Sequence, residues 1–230
     1  MKHVTHIFFD LDHTLWDYDT NARAVLQDIY TRYEVSRLTT LDVDGFITHF
    51  FQANGALWKA FDRGEVDKEE IRERRFRQVL LACGAEDHSL ADEMTRYFGF
   101  NCPRQPGVME DAAMILEYLT KKYQLSIITN GFNDVQGVKL SACGLDKFFE
   151  HVFTSDTIGA RKPSAEIFEH AMDTVGTTCG QALMIGDNPK TDILGAQNAG
   201  ITPLLFNPTG KIKSECQYQI KHLGELMRLL

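Results

Sequence analysis

The sequence VTHIFFDLDHT, residues 4–14, decides the fold class. Its first part, 4–9, is a short and largely apolar run that predicts a strand, and Asp10 and Asp12 follow it closely. Similar runs predict further strands at 125–129, 151–154, 182–185 and 201–206. All five runs lack a clean polar and apolar alternation, which is typical of strands buried on both faces of a sheet.

Segments of helical length connect the later strands, at 108–123, 133–143, 165–175 and 192–198. Strands that alternate with helices indicate a parallel sheet with right-handed crossovers, so we predict an α/β fold with a Rossmann-like core. The gap between the first two strands is longer than one crossover needs, and apolar residues at helical spacing fill it. We therefore expect an α-helical cap at 16–100, inserted between the first and second strands of a core formed by 1–15 and 101–230.

The composition favours a globular protein that does not bind nucleic acid polymers. The 230 residues are 43% hydrophobic, which is enough for a core, and the net charge of -8 opposes binding along a polyanion. The five cysteines contain no Cys-x-x-Cys pair, which argues against a disulfide framework or a zinc site. The chain reaches Asp10 before any apolar run as long as a signal peptide or a membrane span, so we expect a cytoplasmic protein without membrane association. The oligomeric state stays open.

Polar residues follow four of the predicted strands. In an open parallel sheet the ligand lies at the carboxyl ends of the strands, so we expect the chemistry there. The segments are Asp10-Leu11-Asp12-His13-Thr14, Thr129-Asn130-Gly131, Arg161-Lys162-Pro163, and Gly186-Asp187 with Asp192 shortly after.

Asp10, Asp12 and Asp187 predict a metal site. Asp10 and Asp12 point the same way if the strand geometry continues, and Asp187 follows another strand of the same sheet. Two carboxylates about 4 Å apart repel each other by roughly 4 kcal/mol at an effective dielectric constant of about 20, so this cluster requires a cation. Oxygen ligands suit Mg²⁺, with Mn²⁺ or Co²⁺ as substitutes.

The same residues predict hydrolysis of a phosphate monoester. A cation offsets the repulsion between the Asp10 carboxylate and a phosphate dianion, while Lys162 and the Thr129 hydroxyl supply hydrogen-bond donors to the transferring oxygens. We therefore expect Asp10 to be the nucleophile and to form a covalent aspartyl-phosphate. Asp12 is expected to act first as the acid for the leaving group and then as the base for water.

Taken in order, these segments resemble the four motifs of the haloacid dehalogenase (HAD) superfamily, and the resemblance spans essentially the whole chain. The long insert after the first motif is similar to that family's cap. By this resemblance, Asp10, Asp187 and the backbone carbonyl of Asp12 bind Mg²⁺. The other roles that it implies are phosphate binding by Thr129, Lys162 and the backbone amide of Asn130, and support of Lys162 or a metal-bound water by Asp192.

The insert also resembles the cap of bacterial 5′-nucleotidases of this superfamily that act on pyrimidine and non-standard nucleoside monophosphates. The resemblance lies in 54–58, Gly64 and 75–76, and outside the insert in 8–10 and 192–200. It implies a nucleoside 5′-monophosphate as the substrate. Among the aromatic residues, Trp16 and Trp58 are candidate contacts for a stacked base, although aromatic residues at helical spacing more often pack in a core.

Other functions stay open at this stage. A sugar-phosphate or phosphoglycolate-type phosphatase, or a phosphomutase, would use the same core with a different cap surface. A 2-haloacid dehalogenase would share Asp10, but halide leaves unassisted, so Asp12 favours a phosphate ester. A catalytically silent binding module would have no need of the complete set of charged residues.

Overall fold

The chain forms two compact units in a computed structural model that describes residues 3–230. One unit runs to Tyr18 and resumes at Pro106, and it contains the sheet; we call it the α/β unit. The other comprises Asp19–Gln105 and contains helices; we call it the helical unit. The assignment of 16–100 as a cap that serves the core stays a proposal.

Within residues 3–230, six parallel strands form one sheet in the order β3-β2-β1-β4-β5-β6. They are β1 (His6–Phe9), β2 (Gln124–Thr129), β3 (His151–Thr154), β4 (Ala182–Gly186), β5 (Thr202–Phe206) and β6 (Gln219–Ile220). The predicted fold class is confirmed, and the five predicted strands are present. The prediction missed β6 because two residues are too few to form a pattern.

The helical unit buries aromatic residues along its helices. Phe50, Phe76 and Phe98 pack together with ring centroids 4.9 to 5.8 Å apart, so the apolar patterns of three helices meet in one core. The helices are α1 (Tyr18–Arg32), α2 (Val43–Asp62), α3 (Lys68–Ala82) and α4 (His88–Asn101). An aspartate caps each of the last three by accepting a bond from the backbone amide three residues on, namely Asp42, Asp67 and Asp87.

Two helices of the α/β unit begin later than the sequence predicts. The predicted helix 108–123 begins at Ala112, because Val108 bridges Trp16 and Asp111 has a positive φ of 65°. The predicted helix 192–198 begins at Leu194, after a π-helical turn at Pro189–Ile193. The helices of this unit are α5 (Ala112–Leu119), α6 (Asn133–Ala142), α7 (Ser155–Ile158), α8 (Ala165–Val175), α9 (Leu194–Asn198) and α10 (Leu226–Leu229).

The order of the strands places a crevice at the carboxyl end of β1. This strand lies between β2 and β4, and Phe9 is opposite Ile127 on one side and Ile185 on the other. The strand order reverses here, and in open α/β sheets such a point binds the ligand. The residues after these three strands therefore share one edge of the sheet.

Among the helices of residues 3–230, none combines the length and apolarity that a membrane crossing requires.

Candidate active site

The chain turns sharply after β1. The carbonyl of Leu11 accepts hydrogen bonds from the amides four and five residues on, at 3.0 and 2.9 Å, and His13 has a φ of 65°. The strand geometry therefore ends at Phe9. The condition under which Asp10 and Asp12 would point the same way is therefore not met, and their carboxylates contact two different lysines.

Lys162 is the cation at Asp10. Its side chain is 2% exposed, and its Nζ lies 2.6 Å from Asp10 Oδ1 and 2.7 Å from Asp192 Oδ1. Its Nζ also donates to the carbonyl of Ile128, at the end of β2, at 2.8 Å. Because an ammonium has three protons, these acceptors engage all of them. A phosphate that binds Lys162 must therefore replace one of these bonds.

Two residues that follow β2 hold the segment around Lys162. The side chain of Asn130 donates to the Lys162 carbonyl at 3.0 Å and accepts from the Lys162 amide at 2.9 Å. The buried hydroxyl of Thr129 accepts from the Gly131 amide at 3.0 Å, which leaves its own proton for a ligand. The role predicted for Asn130 rested on its backbone amide and stays a prediction. Its side chain fixes the backbone of Lys162, which the sequence did not indicate.

Asp10, Asp187 and Asp192 offer carboxylate oxygens that all lie within 4.8 Å of one another. Burial raises the pKa of Asp10 to about 8 against the attraction of Lys162, and the charges of Asp192 and Asp187 add to the rise. Burial likewise raises the pKa of Asp187 to about 7, with repulsion from Asp192 as the next cause. Burial acts to lower the pKa of Lys162, but Asp10 and Asp192 raise it well above its usual value. The three carboxylates thus share the single ammonium of Lys162, so the ionised cluster carries an excess of negative charge.

This set of donors fits a hard divalent cation. Mg²⁺ binds oxygen ligands and is usually held by a few carboxylates together with waters and substrate phosphate. A cation there would also relieve the repulsion that raises the pKa of Asp10 and Asp187. Within residues 3–230, the carboxylate of Asp192 takes the place in this cluster that the sequence assigned to Asp12. The predicted metal contact of Asp12, through its backbone carbonyl, stays a prediction.

The turn after β4 brings Asp192 to this cluster. The carboxylate of Asp192 accepts from the Asn188 amide at 2.9 Å and pairs with Lys162, and Asp192 is 1% exposed. Gly186 faces it, and a Cβ at Gly186 would collide with the Asp192 carboxylate, so the close approach requires a glycine. Asp187 accepts a hydrogen bond from the Thr14 hydroxyl at 3.3 Å, which ties the β4 end to the turn after β1.

Lys139 is a charged residue of the site that sequence reasoning missed. Its Nζ lies 2.6 and 2.7 Å from the two carboxylate oxygens of Asp12, 127 residues away in the chain. The spacing of Lys139 in the sequence of α6 was one signal that could have identified it. Gln136, Lys139 and Leu140 are the buried residues of α6, and a lysine at this spacing on the inward face of a helix indicates a buried partner.

The two candidate substrate contacts differ in exposure. Trp16 is fully buried and its ring centroid lies 4.7 Å from the Nζ of Lys139, which favours the packing alternative for this residue. Trp58 is half-buried in α2, and its ring centroid lies 5.5 Å from that of Phe61. Trp58 therefore stays a candidate contact.

Residues 4–200 match the family model described as haloacid dehalogenase-like hydrolase. The chain belongs to this family. The resemblance inferred from the ordered motifs is thereby confirmed, and the motifs that carry it meet at one edge of the sheet.

Named relatives of this HAD hydrolase cover almost its whole length. Pyrimidine 5′-nucleotidase PynA of Streptococcus pneumoniae is 30% identical over 205 residues, 88% of this chain and 83% of the relative. Pyrimidine 5′-nucleotidase YjjG of Escherichia coli is 28% identical over 228 residues, 97% and 96% of the two chains. Both are phosphoric monoester hydrolases of this superfamily, which confirms the predicted enzyme class.

A solved structure has the same fold along the full chain. The HAD-hydrolase YfnB of Bacillus subtilis, described as bound to magnesium, superposes with a TM-score of 0.87 at 27% identity and 99% coverage of both chains.

Proposed function

We propose that this chain is a Mg²⁺-dependent phosphatase that hydrolyses nucleoside 5′-monophosphates through an aspartyl-phosphate on Asp10. One observation carries the proposal. The buried Asp10 is held by Lys162 at the carboxyl ends of parallel strands, with Asp187 and Asp192 close enough to share a cation. This arrangement supports attack on phosphorus because the nucleophile, a phosphate-binding cation and a metal site lie together.

The metal ligands in this proposal are the carboxylates of Asp10 and Asp187 and the backbone carbonyl of Asp12, with Asp192 beside them. When bound by these residues, Mg²⁺ would supply positive charge that stabilises the transferring phosphoryl group. Mn²⁺ and Co²⁺ prefer similar ligands and are the expected substitutes.

The residues of the chain carry the two chemical steps. A carboxylate oxygen of Asp10 attacks phosphorus and the bond from phosphorus to the ester oxygen breaks, while Asp12 gives that oxygen a proton. Water then attacks phosphorus, Asp12 takes its proton, and the bond to Asp10 breaks to release inorganic phosphate. Lys162 and the Thr129 hydroxyl donate to the phosphoryl oxygens during both steps.

The nucleotide as substrate is supported by PynA and YjjG, which are named pyrimidine 5′-nucleotidases and match most of this chain. In this proposal the helical unit is the cap that selects the leaving group, and Trp58 is the candidate residue for stacking on a base. We retain the expectation of a cytoplasmic enzyme that acts on a small phosphorylated metabolite.

The proposal is tested by measuring phosphate release from a panel of esters, with Mg²⁺ and with EDTA. The panel contains dUMP, UMP and dTMP, several sugar phosphates, phosphoglycolate and a 2-haloacid as a dehalogenase control. We expect metal-dependent release that is fastest with the nucleotides. A preference for a sugar phosphate or phosphoglycolate would keep the mechanism and reject the nucleotide, whereas full activity in EDTA would reject the metal.

A further inference from the structure

Lys139 pairs with the second acidic residue of the turn after β1. Its ammonium contacts both carboxylate oxygens of Asp12, and the two side chains are 8% and 24% exposed. On another side, the Nζ of Lys139 lies 4.7 Å from the ring centroid of Trp16, which is fully buried. The ammonium is thus held by a carboxylate and by the face of an indole.

The turn itself brings these two partners to Lys139. Asp12 and Trp16 form a backbone bridge, and the amide of His13 donates to the Trp16 carbonyl at 2.9 Å. The backbone therefore fixes the carboxylate and the indole relative to each other, and the ammonium from α6 contacts both. An exposed ion pair would leave Asp12 free to rotate, but a shielded pair in which both oxygens bind one ammonium restricts that rotation.

The two lysines of the site serve different aspartates. Lys162 binds Asp10 and Asp192 within the carboxylate cluster, whereas Lys139 binds Asp12, whose carboxylate is directed to α6. The two aspartates have different roles in the proposed mechanism, because Asp10 attacks phosphorus and Asp12 transfers protons. A separate cation for each allows their side chains to be oriented independently.

We propose that Lys139 is a positioning residue that orients the Asp12 carboxylate for proton transfer. The inference rests on the proposed function, in which Asp12 is the acid and the base. Lys139 acts through Asp12 and does not touch the phosphoryl group. Its loss therefore slows turnover while substrate binding is retained, and it has no further effect once the carboxylate of Asp12 is gone.

The test is a double-mutant cycle on turnover of the nucleotide that the panel shows to be hydrolysed fastest, because its alkoxide leaving group needs the proton from Asp12. The variants are Lys139→Met, Asp12→Asn and the two combined. We expect Lys139→Met to lower kcat by about 10- to 100-fold with KM changed less than about twofold. In the Asp12→Asn background the same change should alter kcat by less than about twofold, because the two residues act as one unit.

Two further variants separate positioning from structure. Lys139→Arg keeps a cation with paired donors and should restore most of the lost kcat. Lys147→Met is the matched control, because Lys147 is exposed with its Nζ 5.0 Å from the Phe148 ring centroid, and it should leave kcat unchanged. Thermal melts report whether each variant folds, and Lys139→Gln replaces Lys139→Met in the cycle if the latter does not.

Equal losses of kcat in the wild-type and Asp12→Asn backgrounds would overturn the inference, and so would wild-type turnover in Lys139→Met. Either result leaves the proposed function standing, because the wild-type enzyme is active in both. Absence of turnover by the wild-type enzyme on every ester of the panel would instead reject the proposed function, and the inference with it.

Discussion

Ion pairs of the two units differ in burial. In the α/β unit, Lys162 pairs with Asp192, and the two residues are 2% and 1% exposed. The helical unit has ion pairs at its surface, such as Arg23 with Asp44, whose side chains are 48% and 76% exposed. Because burying charge opposes folding unless something compensates, the buried ion pairs of the α/β unit support the proposal that the chemistry takes place there.

The helical unit also contains a buried cation, Arg75. It is 5% exposed, and its guanidinium carbon lies 4.6 Å from the ring centroid of Phe98. The guanidinium also donates to Asn54 at 3.3 Å. The described contacts of this cation thus include aromatic faces and an amide oxygen.

The largest effect is expected for Asp10→Asn. An amide is a poor nucleophile toward phosphorus, so phosphate release should fall by more than about 10⁴-fold. Above about pH 8, where the Asp10 carboxyl is ionised, the melting temperature of the metal-free protein should not fall, since the change removes one negative charge from a crowded cluster. Phosphate assays and thermal melts check both statements. Wild-type turnover in this variant would contradict the mechanism.

The next effect is expected for Asp12→Ala, which removes the acid and base. Turnover of a nucleotide should fall by about 10²- to 10⁴-fold, and turnover of nitrophenyl phosphate should fall less, because nitrophenolate leaves without a proton. Steady-state kinetics with both esters measure the ratio. Equal losses for the two leaving groups would remove Asp12 from the role of acid.

The carboxylate cluster predicts how stability depends on pH and metal. With the pKa of Asp10 near 8 and that of Asp187 near 7, the folded state binds more protons than the unfolded chain above about pH 4. The free energy of unfolding of the metal-free protein should therefore fall between about pH 4 and pH 8. Mg²⁺ binds the ionised carboxylates, so at about ten times its Kd it should raise the melting temperature by roughly 3 to 6 °C near pH 8 and by less near pH 5.

Calorimetry with and without Mg²⁺ at the two pH values measures this linkage. The control is Asp10→Asn, which removes one ligand and should reduce the stabilisation by Mg²⁺. An equal effect of Mg²⁺ at both pH values would show that the metal binds elsewhere.

The smallest effect is expected for Asp44→Asn, the same chemical change at an exposed ion pair of the helical unit. Its free energy of unfolding should change by less than about 1 kcal/mol, because exposed ion pairs contribute little. Phosphate release should match the wild type. A large loss of activity in this variant would break the distinction between the two units.

Much of the fold could be predicted from the sequence because its strands are buried on both faces. The strand 151–154 and the helix 165–175 have the predicted bounds, since apolar runs and the cap at Ser164 mark them locally. The start of α5 was mispredicted because it depends on the contact between Val108 and Trp16, which lie far apart in the chain.

The candidate site was predictable only where local motifs carry it. Asp10, Lys162 and Asp187 follow strands whose order in the sheet could be inferred, and they meet as expected. The direction of the Asp12 carboxylate was not predictable, because it follows from a left-handed residue at His13 and from Lys139 on a later helix. A single sequence contains no record of such a distant pair.

The most direct test of the account is to trap the phosphorylated enzyme. Wild-type protein is mixed with Mg²⁺ and a substrate nucleotide, quenched in acid during turnover and digested for mass spectrometry. We predict that the peptide containing Asp10 gains the mass of one phosphoryl group, and that the gain is absent with EDTA and in Asp10→Asn. Turnover with the phosphoryl group on another residue would contradict the central claim.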